Sequence, residues 1–184
     1  MKDRIRYDFG YYVLGILLFV FIWYFSFNLL HYPKANESLY LFFGGTVKNY
    51  SFNDDGLKEM DVEGLRKLEI VSSNPKDSTF DQKYNIVCFN SCDVALLPVS
   101  VLEKTACKTA FIELSDNYNL EYYTQEDVNY GLILSDELKE SLGKYFVFEE
   151  EDYAIVIVAG SVNYGEITNN SFELISWMVG YETV

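Results

Sequence analysis

The sequence predicts an α/β protein: an N-terminal transmembrane helix, then one mixed, mainly parallel sheet with flanking helices. Three observations lead there. The 22 residues from Phe9 to Leu30 carry no formal charge. Between Ser38 and Leu114, short apolar runs alternate with helical patterns, as in parallel strands joined by helices. Beyond Leu114, an acidic linker joins the apolar runs 145–148 and 153–158, which suggests a hairpin and an antiparallel element.

At about 1.5 Å per residue, residues 9–30 span about 33 Å, which matches a hydrocarbon core of about 30 Å. Tyr11 and Tyr12 lie at one end, and Trp23, Tyr24 and Tyr32 towards the other. Aromatic rings in those places favour the membrane–water interfaces. Lys2, Arg4 and Arg6 precede the helix and only Lys34 follows closely, so the positive-inside rule puts the N-terminus in the cytoplasm and the remainder outside. Residues 1–8 are then a cytoplasmic stub, 9–30 a single-pass anchor in the cell membrane, 31–37 a linker and 38–184 an extracellular domain. Pro33 stops the helix. A cleaved signal peptide would have a shorter apolar region and a small-residue cleavage site. The bulky sequence NLLHYPKA fits an uncleaved signal anchor better.

Residues 38–43 (SLYLFF) form an apolar run ended by Gly44 and Gly45, a buried strand leading into a turn. A short helix is expected over 54–60. In LRKLEIV (65–71), Leu68 and Ile70 alternate with charged residues, as in a half-buried strand. SSNPKDST is a turn cluster. Ser78 stands where it can cap a helix in which Phe80, Tyr84 and Val87 share a face. DVALL (93–97) reads as a strand ended by Pro98, and Ser100 with Glu103 has capping-box spacing. AFIEL (110–114) reads as a further strand. Strands over 130–134, 145–148 and 153–158 follow, with a helix over 136–142. Residues 170–179 close the chain as an amphipathic helix, with Asn170 and Glu173 as its cap pair and Phe172, Ile175, Met178 and Val179 on one face. In this scheme Leu41, Ile70 and Leu96 lie on adjacent parallel strands, the first strand central.

The net charge is −14. Residues 1–30 hold three basic and two acidic residues, leaving 11 basic against 26 acidic. Such a domain repels phosphate backbones, which excludes nucleic acid as a partner. The single histidine, His31, lies at the membrane boundary, so the outer domain has no imidazole to activate a nucleophile or bind a metal. No catalytic set, metal or cofactor is expected. Cys88, Cys92 and Cys107 read as buried free thiols, with a Cys92–Cys107 bridge as the alternative. The run from Glu149 to Asp152 is a solvated turn without EF-hand spacing. Gly44-Gly45-Thr46-Val47-Lys48 lacks phosphate-loop spacing. It is either a tight turn or one that offers backbone N–H groups to a small ligand.

Four segments, taken in order, resemble the bacterial extracellular solute-binding proteins, the type II periplasmic-binding fold. LYLFFGGTV looks like that family's first strand and ligand-side loop, and LRKLEIVSSNP like its second strand. SCDVALLPVSVLEK resembles an Asp-led strand ending in Pro, with a short helix after it. EDYAIVIVAGSVNYG followed by SFELISWMVG resembles the late strand, turn and packing helix. The resemblance runs from about Leu39 to Gly180 and implies a short, membrane-anchored, single-lobe variant, because only about 30 residues separate Leu114 from Tyr145. It implies ligand loops at the carboxyl ends of the parallel strands, where open α/β sheets bind. Those positions are Gly44, Gly45 and Thr46, then Ser72 and Asn74, then Pro98 and Ser100. The function expected is a non-enzymatic, solute-binding-like component of a transport system, with the lipid bilayer, a permease or other membrane subunit, and a small solute as partners. The alternative is a non-catalytic accessory or docking subunit of a membrane complex. An enzyme would need a nucleophile–base set that the sequence does not display.

Overall fold

The computed structural model describes residues 2–115, 120–165 and 169–180. The chain divides into two units, Met1–Lys34 and Ala35–Val184. The first is a single helix, α1 (Lys2–His31), which ends two residues before Pro33. Its stretch Phe9–Phe27, of mean hydropathy 1.9 and with no part buried, is long and apolar enough to cross a membrane. Tyr11, Trp23 and Tyr32 are all exposed. The side chains of Lys2, Arg4 and Arg6 lie outside the described residues.

In the second unit a 3₁₀ turn (Ala35–Glu37) leads into β1 (Ser38–Phe43), β2 (Thr46–Val47), α2 (Ser51–Met60) and β3 (Lys67–Ser72). A helical stretch follows: α3 (Phe80–Lys83), a π-helical turn (Tyr84–Cys88) and α4 (Phe89–Ser91). Next come β4 (Val94–Pro98), α5 (Val99–Leu102), α6 (Cys107–Ala110), β5 (Tyr122–Gln125) and β6 (Val128–Ile133). The last elements are α7 (Asp136–Leu142), β7 (Phe146–Val147), β8 (Tyr153–Ile157) and α8 (Asn170–Val179).

The main sheet has the order β3-β1-β4-β8-β6-β5. β1 pairs in parallel with β3 on one side and β4 on the other, with Leu41 opposite Ile70 and Phe43 opposite Leu96. The first strand is therefore central, as the sequence predicts. The remaining pairings, β4–β8, β8–β6 and β6–β5, are antiparallel. Strands β3, β1, β4 and β6 thus run one way, and β8 and β5 the other.

The first crossover runs from β1 to β3 and the second from β3 back past β1 to β4, and two crossovers of one hand in opposite directions place their helices on opposite faces. Phe52 of α2 accordingly packs in one core with Leu41, Ile70 and Leu96, together with Leu142 of α7 and Leu174, Ile175 and Met178 of α8. Phe80, Tyr84 and Cys88 pack in the other core with Phe42, Ala95, Leu97 and Val156. Because both faces are covered, β4 and β8 are buried at every position, which explains their continuous apolar sequences.

Several expectations are corrected. Residues 110–114 make no full strand. Phe111 forms a single antiparallel bridge to Val158, Ile112 N–H donates to Ile157 and Leu114 N–H to Asn129, so the segment spans the ends of β8 and β6. β7 and β8 form no hairpin: β7 pairs with β2 in a separate two-stranded ribbon. The hairpin that does exist joins β5 to β6 through Glu126 and Asp127, both at positive φ (54° and 63°), the geometry of a two-residue type I′ turn. α5 begins at Val99 after Pro98, with no side-chain cap from Ser100. α3 follows Thr79, again without a side-chain cap, and α8 follows Asn169, so neither Ser78 nor Asn170 is an N-cap. The π turn widens the helix by one residue and buries Cys88, while Val87 is only partly buried. On α8 it is Leu174, Ile175 and Met178 that are buried, with Phe172 and Val179 at the margin. Finally, residues 35–37 belong to the domain and are not a free linker: Arg66 N–H donates to the Glu37 carbonyl and Asn163 Nδ2 to the Ala35 carbonyl.

Candidate functional site

The carboxyl ends of β1 and β4 are the topological switch point of the parallel half, since the chain goes from β1 to one side and then to the other. The residues singled out from sequence gather along this edge. Gly44 N–H donates to the Leu96 carbonyl at 2.8 Å, and Ser72 lies beside Phe43 in the ladder. Asn74 Nδ2 donates to Thr46 Oγ1 at 3.5 Å, while Asn74 Oδ1 accepts from Lys76 N–H. Pro98 ends β4, and exposed Ser100 stands two residues on.

The glycine turn itself is packed shut. A Cβ on Gly44 would lie 2.8 Å from Pro98 Cδ, and one on Gly45 would lie 2.6 Å from Phe43 Cζ. Both glycines are buried, and they allow close approach of the protein to itself. A bulky residue at Gly45 would therefore test packing, not binding.

Residues 145–153 cover the strand ends. β7 pairs with β2, Phe146 and Phe148 pack on Phe43 at 4.6 and 5.8 Å between ring centroids, and Tyr153 OH accepts from Glu149 N–H. The acidic run then meets the loops one by one. Lys76 Nζ lies 2.7 Å from Glu149, Ser100 Oγ donates to Glu151 at 2.7 Å, and Val99 N–H donates to the Asp152 carbonyl. Lys139 reaches Asp152 at 3.1 Å. Hydrogen bonds from Lys76 and Asn74 hold the Glu149 carboxyl below its ordinary value. The run from Glu149 to Asp152 is thus a clasp as well as a solvated turn.

Beside this edge opens a cleft of about 450 Å³, between the helical stretch 80–89 and residues 100–110. Phe80 and Tyr84 stack within it, centroids 5.6 Å apart and planes 8° off parallel. Thr105 Oγ1 donates to the Val101 carbonyl, so Tyr84 OH donates to Thr105 at 2.9 Å. Burial pushes the Tyr84 phenol well above its ordinary range. Of the predicted loop positions only Ser100 lines the cleft, with Pro75 next to Asn74; Gly44, Gly45, Thr46, Ser72, Asn74 and Pro98 do not. The sequence signal for it is slight: Phe80, Tyr84 and Phe89 are spaced four and five, one residue too many for a regular helix, and the π turn absorbs the excess.

Cys88, Cys92 and Cys107 are free and buried in the core behind the cleft. Burial pushes the Cys88 thiol up and the Cys92 thiol up to about 12, so both stay protonated and inert. Among the described residues, no three Asp, Glu, His or Cys side chains converge as metal ligands would.

A second polar cluster lies at the opposite edge. Asp93, 4% exposed, accepts from Ser161 Oγ at 2.7 Å and from Tyr40 N–H at 2.9 Å. Asn163 N–H donates to Ser161, and Asn163 Nδ2 donates to the Ser38 carbonyl at 2.7 Å. Asn170 Nδ2 donates to Asn163 Oδ1 and to the Asn36 carbonyl. Each of these buried groups has a partner within the protein, so the cluster is a structural tie.

No family model, curated protein or solved structure matches this chain.

Proposed function

We propose that this chain is a membrane-anchored, solute-binding-like component of a transport system, held in the cell membrane by α1 with its α/β domain outside the cytoplasm. The observation that carries the reading is the cleft of about 450 Å³ beside the carboxyl ends of the parallel strands. Its volume falls within the roughly 300–1,000 Å³ of small-molecule sites. The central position of β1 is what the strand–helix alternation predicts. The solute occupies the cleft instead of the closed Gly44–Gly45 turn.

Two measurements test this. Protease added to intact cells should digest the domain beyond Pro33 and spare the end that carries Lys2, Arg4 and Arg6; the reverse pattern would overturn the orientation. The full chain, purified in detergent, should be stabilised by a sugar, amino acid or peptide at millimolar concentration. At 100 times its dissociation constant a ligand contributes about 2.7 kcal/mol. No shift with any solute class would sink the solute-binding reading.

The closure of the ligand-side turn by residues 145–153 favours a second reading, a non-catalytic docking subunit of a membrane complex. In that case a permease or other membrane subunit copurifies and no solute stabilises the chain.

A further inference from the structure

We infer that two copies of this chain pair edge to edge through β3, antiparallel, about a twofold axis at Leu68. β3 ends the main sheet, so its outer side has no neighbouring strand among the described residues. An edge of this kind is a template for a further strand. The two edges of the sheet differ. β5 has four residues and a register shift between Tyr123 and Thr124, which disrupts pairing there. β3 has six residues in unbroken register with β1 and contains no proline. Lys67 and Glu69 alternate along it with the buried Leu68 and Ile70, and their side chains are 34% and 43% exposed. They already pair with each other along the strand.

An antiparallel second copy centred on Leu68 sets Lys67 of each copy opposite Glu69 of the other. Opposite charges directly across a strand pair attract, and like charges repel. Centring on Glu69 would set the two Glu69 side chains against each other. Centring on Ile70 would set Glu69 against Val71 and Lys67 against Ser73, with no ion pair across the axis. Lysine on an edge discourages an unrelated strand. A second copy of β3 brings it a carboxylate, twice over, because the contact is the same patch on both copies. That charge complementarity commits the edge to a second copy, and it does so independently of any solute.

The test is sedimentation equilibrium of the full chain in detergent. Wild type should dimerise reversibly. Lys67→Glu and Glu69→Lys, each alone, oppose like charges twice across the axis and should raise the dimer dissociation constant about tenfold. An equimolar mixture of the two variants should recover the wild-type constant, because each like-charged strand then meets its opposite. The double variant Lys67→Glu/Glu69→Lys should recover it as well. Recovery on mixing cannot come from a change in the fold of either variant alone. A wild type that stays monomeric would overturn the inference. So would a dimer that ignores both reversals, as one held through α1 would, or reversals that mixing does not rescue. Each of these failures would leave the solute-binding reading standing.

Discussion

Replacing Phe43 by alanine should destabilise the domain by about 3–5 kcal/mol, the range for truncating a buried phenylalanine. Phe43 is fully buried at the end of β1, with Phe146, Phe148 and Tyr153 at 4.6, 5.8 and 6.1 Å between ring centroids. The void would open beneath the segment that closes the strand ends. Loss should therefore be local as well as global: amide hydrogens from 146 to 153 should exchange faster than those of β4. Urea unfolding gives the first quantity and hydrogen exchange the second. A loss below about 1 kcal/mol would mean that residues 145–153 are not seated on this ring.

Asp93→Ala should cost about 2–6 kcal/mol, because a buried donor left without its partner costs about 1–3 and two are stranded. Those donors are Ser161 Oγ and Tyr40 N–H. The cost should depend on pH in a defined direction. Burial pushes the Asp93 carboxyl above its ordinary value, against the opposing hydrogen bonds from Ser161, Tyr40 and Asn163. The folded state therefore holds the proton more tightly than the unfolded state, and stability falls as pH rises from the unfolded pKa of about 3.9 through the raised folded one. The gap between wild type and variant should be widest below about pH 4 and narrow above it. Urea unfolding of both proteins from pH 3.5 to 7.5 checks this. A gap that widens with pH would show that the carboxylate is favoured in the fold, and would overturn the assignment.

Local signals were legible wherever one residue pattern meets one environment. The continuous apolar sequences of β1, β4 and β8 announce strands buried on both faces, and α7 and α8 keep the bounds that their spacing predicts. The order of β3, β1 and β4 followed as well, because short connections and a single crossover hand leave few topologies. The β5–β6 hairpin escaped notice because Glu126 and Asp127 occupy left-handed positions that glycine or asparagine usually signals. Capping residues misled because Pro98 and Asn169 precede the two helices, which puts Ser100 and Asn170 inside them, where they donate to Glu151 and to the Asn36 carbonyl.

By itself the sequence determined the apolar N-terminal helix, the acidic α/β domain, the lack of an imidazole there and the central first strand. The first three depend on composition or on periodicity within a dozen residues, and the last on short connections and the crossover hand. Only the tertiary structure decided that β7 leaves β8 for β2, that residues 145–153 close the Gly44–Gly45 turn, and that a cleft opens beside Tyr84 instead. The first two turn on contacts between residues about 100 apart, such as Phe43 with Phe146, and the cleft on segments 21 apart at Tyr84 and Thr105. A one-dimensional pattern shows that each such residue must be buried, but the partner that buries it is chosen by the shape left once the sheet has formed.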